Sequence, residues 1–557
     1  MSNRLFAALS GIVICLVAAA PQAKATAVDG ILASVPQFTK VAKLIGPAPP
    51  TQLVRLVMFL PYPNKPAVDA FTSAVNDPSS STYGRFLTPA QFTASFGPSG
   101  NSYSMVEYLL AGAGFKVYKT YANRKVVDVI GTVGQAEVLF QTIIAQYKYN
   151  GVTYYANQGP ALAPTVLKGV VMAVGGLNNF ARKAIKPIAS LKPIGYGPLD
   201  IQTAYDEPVH VNGAISGAGR TIAIETTYDY LDSDLQSFWA AFGVHRTGAV
   251  TRRFIADPVN QGLPLPGQND ETTLDVEQTS SSAPGANVEV VEAGDALNAT
   301  FDDMYESTAS DPSIDVVTTS WGSCEIGADP NEETADNDLF EEGAAQGQTM
   351  FAATGDNGSK DCGTNSPPYG LPGQPNPTTV DFPASSPWVA AAGGTTLTLK
   401  SNRTIASETA WSGTGGGVSM LFGLPVYQAN VSGLASTTHR NTPDVALDAD
   451  PNTPYALYLD GQFAVPVGGT SAVGPNLAAM YAQFDGYRQH RSGLAQAALY
   501  SGFPRHTYPG LAWHDVVSGG NGAYHAHAGY DNVSGVGSLD AYRYMLGMPA
   551  SRYPSEL

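Results

Sequence analysis

From about residue 220 to residue 400 the chain alternates two kinds of segment, and that rhythm restricts its fold more than any other feature. "RTIAIETTY", "NVEVVEA", "IDVVTTSWG", "TMFAATGD" and "WVAAAGGT" are apolar, β-branched runs bounded by Gly, Asp or Ser. Amphipathic stretches such as "DLQSFWAAFG" and "NDLFEEGAAQG" lie between several of them. Strand-like runs that are apolar nearly throughout have both faces buried, and helical segments between them supply the cover. The expectation is an α/β unit with a parallel sheet flanked by helices. In such sheets, sites form at the carboxyl ends of the strands. Trp321, after "VVTTS", and Asp356, after "FAATG", fall at such ends.

The preceding part of the chain reads differently. Helices are expected near 66–76 and 104–114, and strands at "LVRLVMFLP" and "KVVDVIGTV", an α+β pattern. Charge marks the same division. Residues 26–195 carry 15 Lys+Arg against 6 Asp+Glu, whereas residues 196–557 carry 13 against 41. Between the two lies "ARKAIKPIASLKPIGYGP", residues 181–198, basic, Pro- and Gly-containing and without a clear period. It reads as an exposed linker open to proteolysis. At the other end, "MSNR", the apolar "LFAALSGIVICLVAAA" and Ala23-Lys24-Ala25 read as a secretory signal, residues 1–25. The apolar run is short of the roughly 20 residues of a membrane span, so no stable membrane association is expected. The organisation is therefore a signal (1–25), a basic unit (26–180), a linker with a processing site (181–198) and an acidic unit (199–557).

The charges of the first unit are scattered rather than clustered, so nucleic acid is not an expected partner. A basic unit beside an acidic one is better placed to sit on it. Their attraction holds at neutral pH and weakens as carboxylates are neutralised in acid. Removal of the signal leaves two cysteines, Cys324 and Cys362. In an oxidising compartment they form one disulfide or remain two buried thiols.

"VGGTSAVGPNLAAMYAQF", residues 467–484, presents Ser471 at the head of an apolar run of helical period. A serine hydroxyl needs a base to become a nucleophile. None of the 8 histidines stands in a His-Gly-Thr step at a helix start, and an imidazole is protonated in acid. Carboxylates are the alternative. "NDETTLDVEQ" puts Glu271 and Asp275 four apart, on one face of a helix. Like charges there repel unless they share a proton; otherwise such a pair belongs to an exposed acidic face. Asp356, before Asn-Gly, suits either a turn or a neutral acid that donates to an oxyanion, as a ketosteroid isomerase uses one.

Taken together, Glu271-x-x-x-Asp275, Asp356 and Gly469-Thr470-Ser471 with Pro475 resemble the sedolisin (serine-carboxyl peptidase) family, of the kumamolisin type. "TTSWGSCE", "DFPASSPWVAAAGGTTL", "WSGTGGGVS" and "TPDVALDADPNTPYALYLDG" resemble it too, and "SSSTYGRFLTPAQFTASFGPS" and "NRKVVDVIGTV" resemble its activation propeptide. The resemblance implies a subtilisin-like catalytic domain preceded by an α+β, ferredoxin-like prodomain. It also implies a secreted, monomeric proenzyme, acting in acid on proteins or peptides, with its own propeptide as inhibitor. Ser471 would be the nucleophile, Glu271 the base, Asp275 its support and Asp356 the oxyanion stabiliser. Glu225 and Trp321 would extend the proton network. "WHDVVSGGNGAYHAHAGYDNVSGVGS" resembles the family's loop for one structural calcium, with ligands at Asp515 and Asp531 (carboxylates) and Val516, His527 and Gly529 (carbonyls). His527 departs from the glycine common there. The competing readings are a histidine-dependent subtilase and a secreted, non-catalytic binding protein on the same fold.

Overall fold

The computed structural model describes residues 30–180, 183, 188–189, 195–259, 270–363, 366–464, 466–502 and 512–548. The signal assigned to 1–25 and most of the linker at 181–198 lie outside the described residues.

The acidic unit is built on one sheet. Its strands run in the order Val250–Ile255, Asn287–Ala293, Thr221–Thr226, Val316–Thr319, Thr349–Ala353, Ala390–Leu399 and Ile405–Ala410, with Val445–Asp448 also paired to Ala390–Leu399. All these pairings are parallel except the one to Ile405–Ala410. The five strand-like runs of the sequence are thus central strands. Successive side chains alternate between two covered faces. Ile222, Val316 and Phe351 enter the core shared with the helix Val473–Arg488, whereas Ala223, Val317 and Ala352 pack toward the helices Asn298–Ala309 and Pro330–Ala345. The Val473–Arg488 helix is buried from Val473 to Asp485. This explains why its sequence is apolar with small residues: it has no solvent face for most of its length.

The basic unit forms a separate antiparallel sheet in the order Lys116–Thr120, Val126–Thr132, Leu53–Phe59, Ala173–Gly175. The helices Lys65–Asn76, Pro89–Phe96 and Gly100–Gly112 precede its second strand, and Val133–Phe140 follows its third. This is the βαββαβ arrangement of ferredoxin-like folds. Thr88 with Gln91, and Thr132 with Gln135, form capping boxes that start two of the helices. Period-2 alternation again assigns the faces. Val54, Leu56 and Met58 point into the unit's own core, while Val57 and Phe59 join Phe301, Met304 and Leu339 of the acidic unit. The basic unit therefore lies with its open sheet face on the helices Asn298–Ala309 and Pro330–Ala345.

Charged groups line this contact. Arg55 Nη2 lies 2.9 Å from Asp303 Oδ2, Lys119 Nζ 3.1 Å from Asp303 Oδ1, and Lys125 Nζ 2.9 Å from Asp338 Oδ2. Lys65 pairs with Glu341, and the Asn123 amide donates to Glu342 Oε2 at 3.1 Å. The basic unit sits on the acidic one, as its charge led us to expect. Cys324 and Cys362 are joined as a disulfide. No helix among the described residues is long and apolar enough to cross a membrane.

Candidate active site

Ser471 follows Gly469, whose φ of 134° is open to glycine, in the short turn Thr470–Ala472 that feeds the Val473–Arg488 helix. A Cβ at position 469 would also stand 2.6 Å from Asp356 Oδ2. Glu271 and Asp275 lie on the helix Asp270–Ser282, on one face as their spacing predicts. That helix packs against Val473–Arg488: the Ser282 hydroxyl bonds to Asn476 and Glu207, and Gln483 donates to the Ser282 carbonyl. The packing closes the gap of two hundred residues, and Ser471 Oγ donates to Glu271 Oε2 at 3.1 Å.

The carboxyl pair is not an exposed acidic face. Glu271 is 1% and Asp275 0% exposed. Burial first, and then the neighbouring Asp275 charge, raise the Glu271 carboxyl well above its ordinary range; burial raises Asp275. Two such groups titrate as a unit that holds a shared proton. Ser320 connects the parts. Its Oγ lies 2.9 Å from Asp275 Oδ1 and 3.1 Å from the Ser471 carbonyl oxygen.

Asp356 approaches from the end of the strand Thr349–Ala353. Its Oδ1 accepts from the Thr470 N–H (2.8 Å) and hydroxyl (2.9 Å), while its Oδ2 has no hydrogen-bond partner among the described residues. Burial pushes this carboxyl up to about 6, against the pull of the two Thr470 donors. One oxygen is fixed and the other left over, at a pKa that makes it a proton donor in mild acid. The described histidines whose rings form hydrogen bonds do so elsewhere: His439 with Thr438, His490 with the Arg491 carbonyl, His514 with Ser538 and His527 with the Ala528 carbonyl.

Glu225 requires a correction. Along Thr221–Thr226, Ile222 and Ile224 face the side of the Asp270–Ser282 helix, so Ala223 and Glu225 face the other. Glu225 Oε1 accepts from Thr308 Oγ1 at 2.5 Å, and burial pushes its carboxyl up to about 8. The sheet separates it from the Glu271–Asp275 pair. Trp321 does reach the site's neighbourhood, through threonines. Its indole N–H donates to Thr226 Oγ1 (3.1 Å), which is bonded to Thr272 Oγ1 (2.7 Å), next to Glu271. Sequence reasoning missed Ser320 and Thr470, although both lie in the quoted motifs; a bridging hydroxyl has no spacing signature of its own.

In the C-terminal loop, Asp531 Oδ2 accepts from the His527 N–H at 3.0 Å and Asp515 accepts from the Gly529 N–H at 3.1 Å. Both carboxylates are drawn onto residues 527–529. Gly529 has φ +86°, whereas His527 is not among the residues of positive φ, so a side chain is accommodated at 527 without strain. Among the described residues no three His, Cys, Asp or Glu side chains come together to hold a metal. A cation here would draw on carbonyl oxygens and water beside the two carboxylates, an oxygen-only set suited to calcium.

A serine at the head of a buried helix, set at the carboxyl ends of a parallel sheet, is the arrangement of a serine-type peptidase on a subtilisin-like fold. Residues 40–180 match the family described as Pro-kumamolisin, activation domain. The chain is 30% identical to sedolisin of Pseudomonas sp. (strain 101) over 529 residues, 88% of this chain and 86% of that one. It is 31% identical to kumamolisin of Bacillus sp. (strain MN-32) over 485 residues, 80% and 83% of the two chains. The solved structure of Pseudomonas sedolisin complexed with two molecules of pseudo-iodotyrostatin superposes with a TM-score of 0.55 at 29% identity, covering 63% of this chain and 97% of that one. The chain belongs to the sedolisin family of serine-carboxyl peptidases, and its N-terminal unit is the activation domain of a proenzyme.

Proposed function

We propose that this chain is a secreted endopeptidase that works in acid through Ser471, Glu271, Asp275 and Asp356. The observation that carries the reading is the hydrogen bond from Ser471 Oγ to the buried Glu271 carboxyl, with the unpartnered Asp356 Oδ2 on the strand end beside it. Glu271 takes the Ser471 proton as Oγ attacks the peptide carbonyl, and Asp275 shares the charge and proton of the pair. Asp356, protonated, donates from Oδ2 to the oxygen that becomes negative. Glu271 returns the proton to the leaving amine, and water then releases the acyl group from Ser471 by the same steps. The activity rises as Asp356 gains its proton and falls when the carboxyl pair takes up its second one, a bell on the acid side.

The N-terminal unit acts as an intramolecular inhibitor. Its cations Arg55, Lys119 and Lys125 face Asp303 and Asp338; neutralising those carboxyls removes the attraction, so acid favours release. One calcium, held by Asp515, Asp531 and the carbonyls of Val516, His527 and Gly529, would tie the C-terminal loop together. Residues 1–25 would direct export.

Acidification of the purified full-length chain tests the reading. Chain length and peptide hydrolysis are followed from pH 3 to pH 7 for wild type, Ser471→Ala and Glu271→Ala. Wild type is expected to shorten and cleave in acid only. Each variant is expected to lose about 10⁴-fold or more. Processing and cleavage by both variants at the wild-type rate, or an optimum above pH 7, would overturn it.

A further inference from the structure

Beyond the four-residue site, the acidic unit contains a second set of buried carboxyls, and it already has an occupant. Lys183, from the segment that joins the two units, is 2% exposed. Its backbone N–H donates to the Ala296 carbonyl at 3.0 Å. Its ammonium stands 5.0 Å from the Phe382 ring centre and 5.9 Å from that of Tyr305. Its charge acts on Asp302 of the helix Asn298–Ala309, on Glu332, Glu333 and Asp336 of Pro330–Ala345, and on Asp381 beside Phe382. Burial raises all five carboxyls, and the Lys183 charge offsets part of that rise in each. Asp302 shares a hydrogen bond with the Glu332 carboxyl and Asp381 with that of Asp361, Oδ1 of Asp336 has no hydrogen-bond partner among the described residues, and none of Asp302, Asp336 and Asp381 is more than 3% exposed. Unpartnered buried carboxyls are costly unless a cation or a donor fills the space between them. Aromatic walls beside them favour an ammonium or guanidinium further.

The position of this pocket relates it to the nucleophile. Asp381–Phe382 pairs with Ser323–Cys324, just after Ser320 and Trp321, and Trp321 packs on Phe301 of the helix that carries Asp302. Downstream of Lys183, Ile188 and Ala189 pair antiparallel with Gly468 and Val467, the residues leading into Ser471. A peptide held in that register has its chain, upstream of the paired residues, directed toward Ser471, which is three residues beyond Gly468. Counting back, the acyl residue of its reactive bond falls two or three residues before the position of Ile188. The residue in the place of Lys183 then stands three or four positions ahead of the bond, on the acyl side. Gly175 of the N-terminal unit covers the pocket from the other side: a Cβ there would lie 2.6 Å from Asp302 Oδ2 and 2.8 Å from Glu332 Oε1. Departure of that unit would uncover the carboxyls on this side.

We propose that the pocket formed by Asp302, Glu332, Asp336 and Asp381 with the Tyr305 and Phe382 rings is a substrate subsite that selects lysine or arginine three or four residues ahead of the cleaved bond, and that Lys183 fills it in the proenzyme. This rests on the peptidase reading above. The charged end stands against the aromatic rings, as the Lys183 ammonium does, within the field of the carboxyls.

The test uses the full chain after activation in acid, with internally quenched peptides that differ only at the third or fourth residue ahead of the cleaved bond. Lys, Arg, norleucine and Glu are compared there; norleucine keeps the stem without the charge. At one of the two positions kcat/KM is expected to be at least about tenfold higher for Lys and Arg than for norleucine, with Glu lowest. Asp336→Asn and Asp302→Asn are expected to bring the Lys-to-norleucine ratio toward one. Equal rates for Lys and norleucine at both positions in the wild type overturn the inference, whatever becomes of the variants, while cleavage itself upholds the peptidase reading. Absence of cleavage of every peptide overturns both.

Discussion

Glu271 and Asp275 are buried, and Asp356 is half-buried with its Oδ2 covered, with no cation in contact among the described residues, whereas Asp303 and Asp338, on helices that cover the other face of the same sheet, are buried against Arg55 and Lys125. The residue types are the same. The partners differ, and so does the chemistry. A carboxyl buried without a cation holds its proton, and its pKa rises into the range where it can donate or share that proton. A carboxyl buried against a cation can stay ionised, but only while the cation remains. In this molecule the cations of the second set belong to the N-terminal unit. The first set is therefore suited to chemistry in acid, and the second to holding an inhibitor until the charge is removed.

The comparison can be tested at either end. The largest effect in these tests is expected at Asp356. Asp356→Ala removes the oxyanion donor and is expected to lower kcat by about 10²–10³-fold. Asp356→Asn donates at every pH. In wild type the donor is the acid form, so activity rises as pH falls through about 6, the value to which burial pushes this group. That limb should flatten in the Asn variant; a pH profile unchanged from wild type would detach Asp356 from the mechanism.

Breaking a pair in the second set should come next. Lys125 is 0% exposed, paired with Asp338 and 3.8 Å above the Tyr62 ring. Lys125→Met leaves Asp338 with a weaker partner and is expected to speed release of the N-terminal unit at pH 7 by about tenfold to a hundredfold, read by the lag before peptide hydrolysis. Adding Asp338→Asn should recover part of the loss. An unchanged lag would mean that apolar contact, through Val57 and Phe59, holds the two units.

A smaller effect concerns stability. Burial pushes Glu207 and Asp485, like Asp356, above their ordinary values, to about 7. The folded chain therefore binds more protons than the unfolded one between the ordinary carboxyl range and about 7. That contribution is full below this range and is lost as pH rises through about 7. The inactive Ser471→Ala proenzyme should melt a few degrees higher at pH 5 than at pH 8. A higher melting temperature at pH 8 would show that the cation-paired set outweighs the unpaired one. The smallest effect is expected from chelator, which should lower the melting temperature by a few degrees if calcium ties the loop of Asp515 and Asp531; metal analysis of the untreated protein checks the same point.

Much of the fold was legible because parallel-sheet strands are apolar on both faces and stand out in any window. The Glu271–Asp275 pair was legible because helical spacing alone puts residues four apart on one face. The face of Glu225 was not, for the resemblance said nothing of which side of the strand it occupies; alternation from Ile222 and Ile224 sends it to Thr308 instead. Ser320 and Thr470 were also beyond reach, since a hydroxyl's partner depends on what packs against it.

By itself the sequence determined which elements form, where the charge divides and which residue types could perform acyl transfer without a histidine. These are local properties, set by periodicity and composition. Only the tertiary structure decided that Ser471 meets Glu271 across two hundred residues, that Asp356 keeps one oxygen unpartnered, and that the Lys183 charge acts on Asp302, Glu332, Asp336 and Asp381. Those outcomes depend on burial and on neighbours distant in the chain. The same carboxyl is an exposed charge, a proton store or half of an ion pair according to what surrounds it.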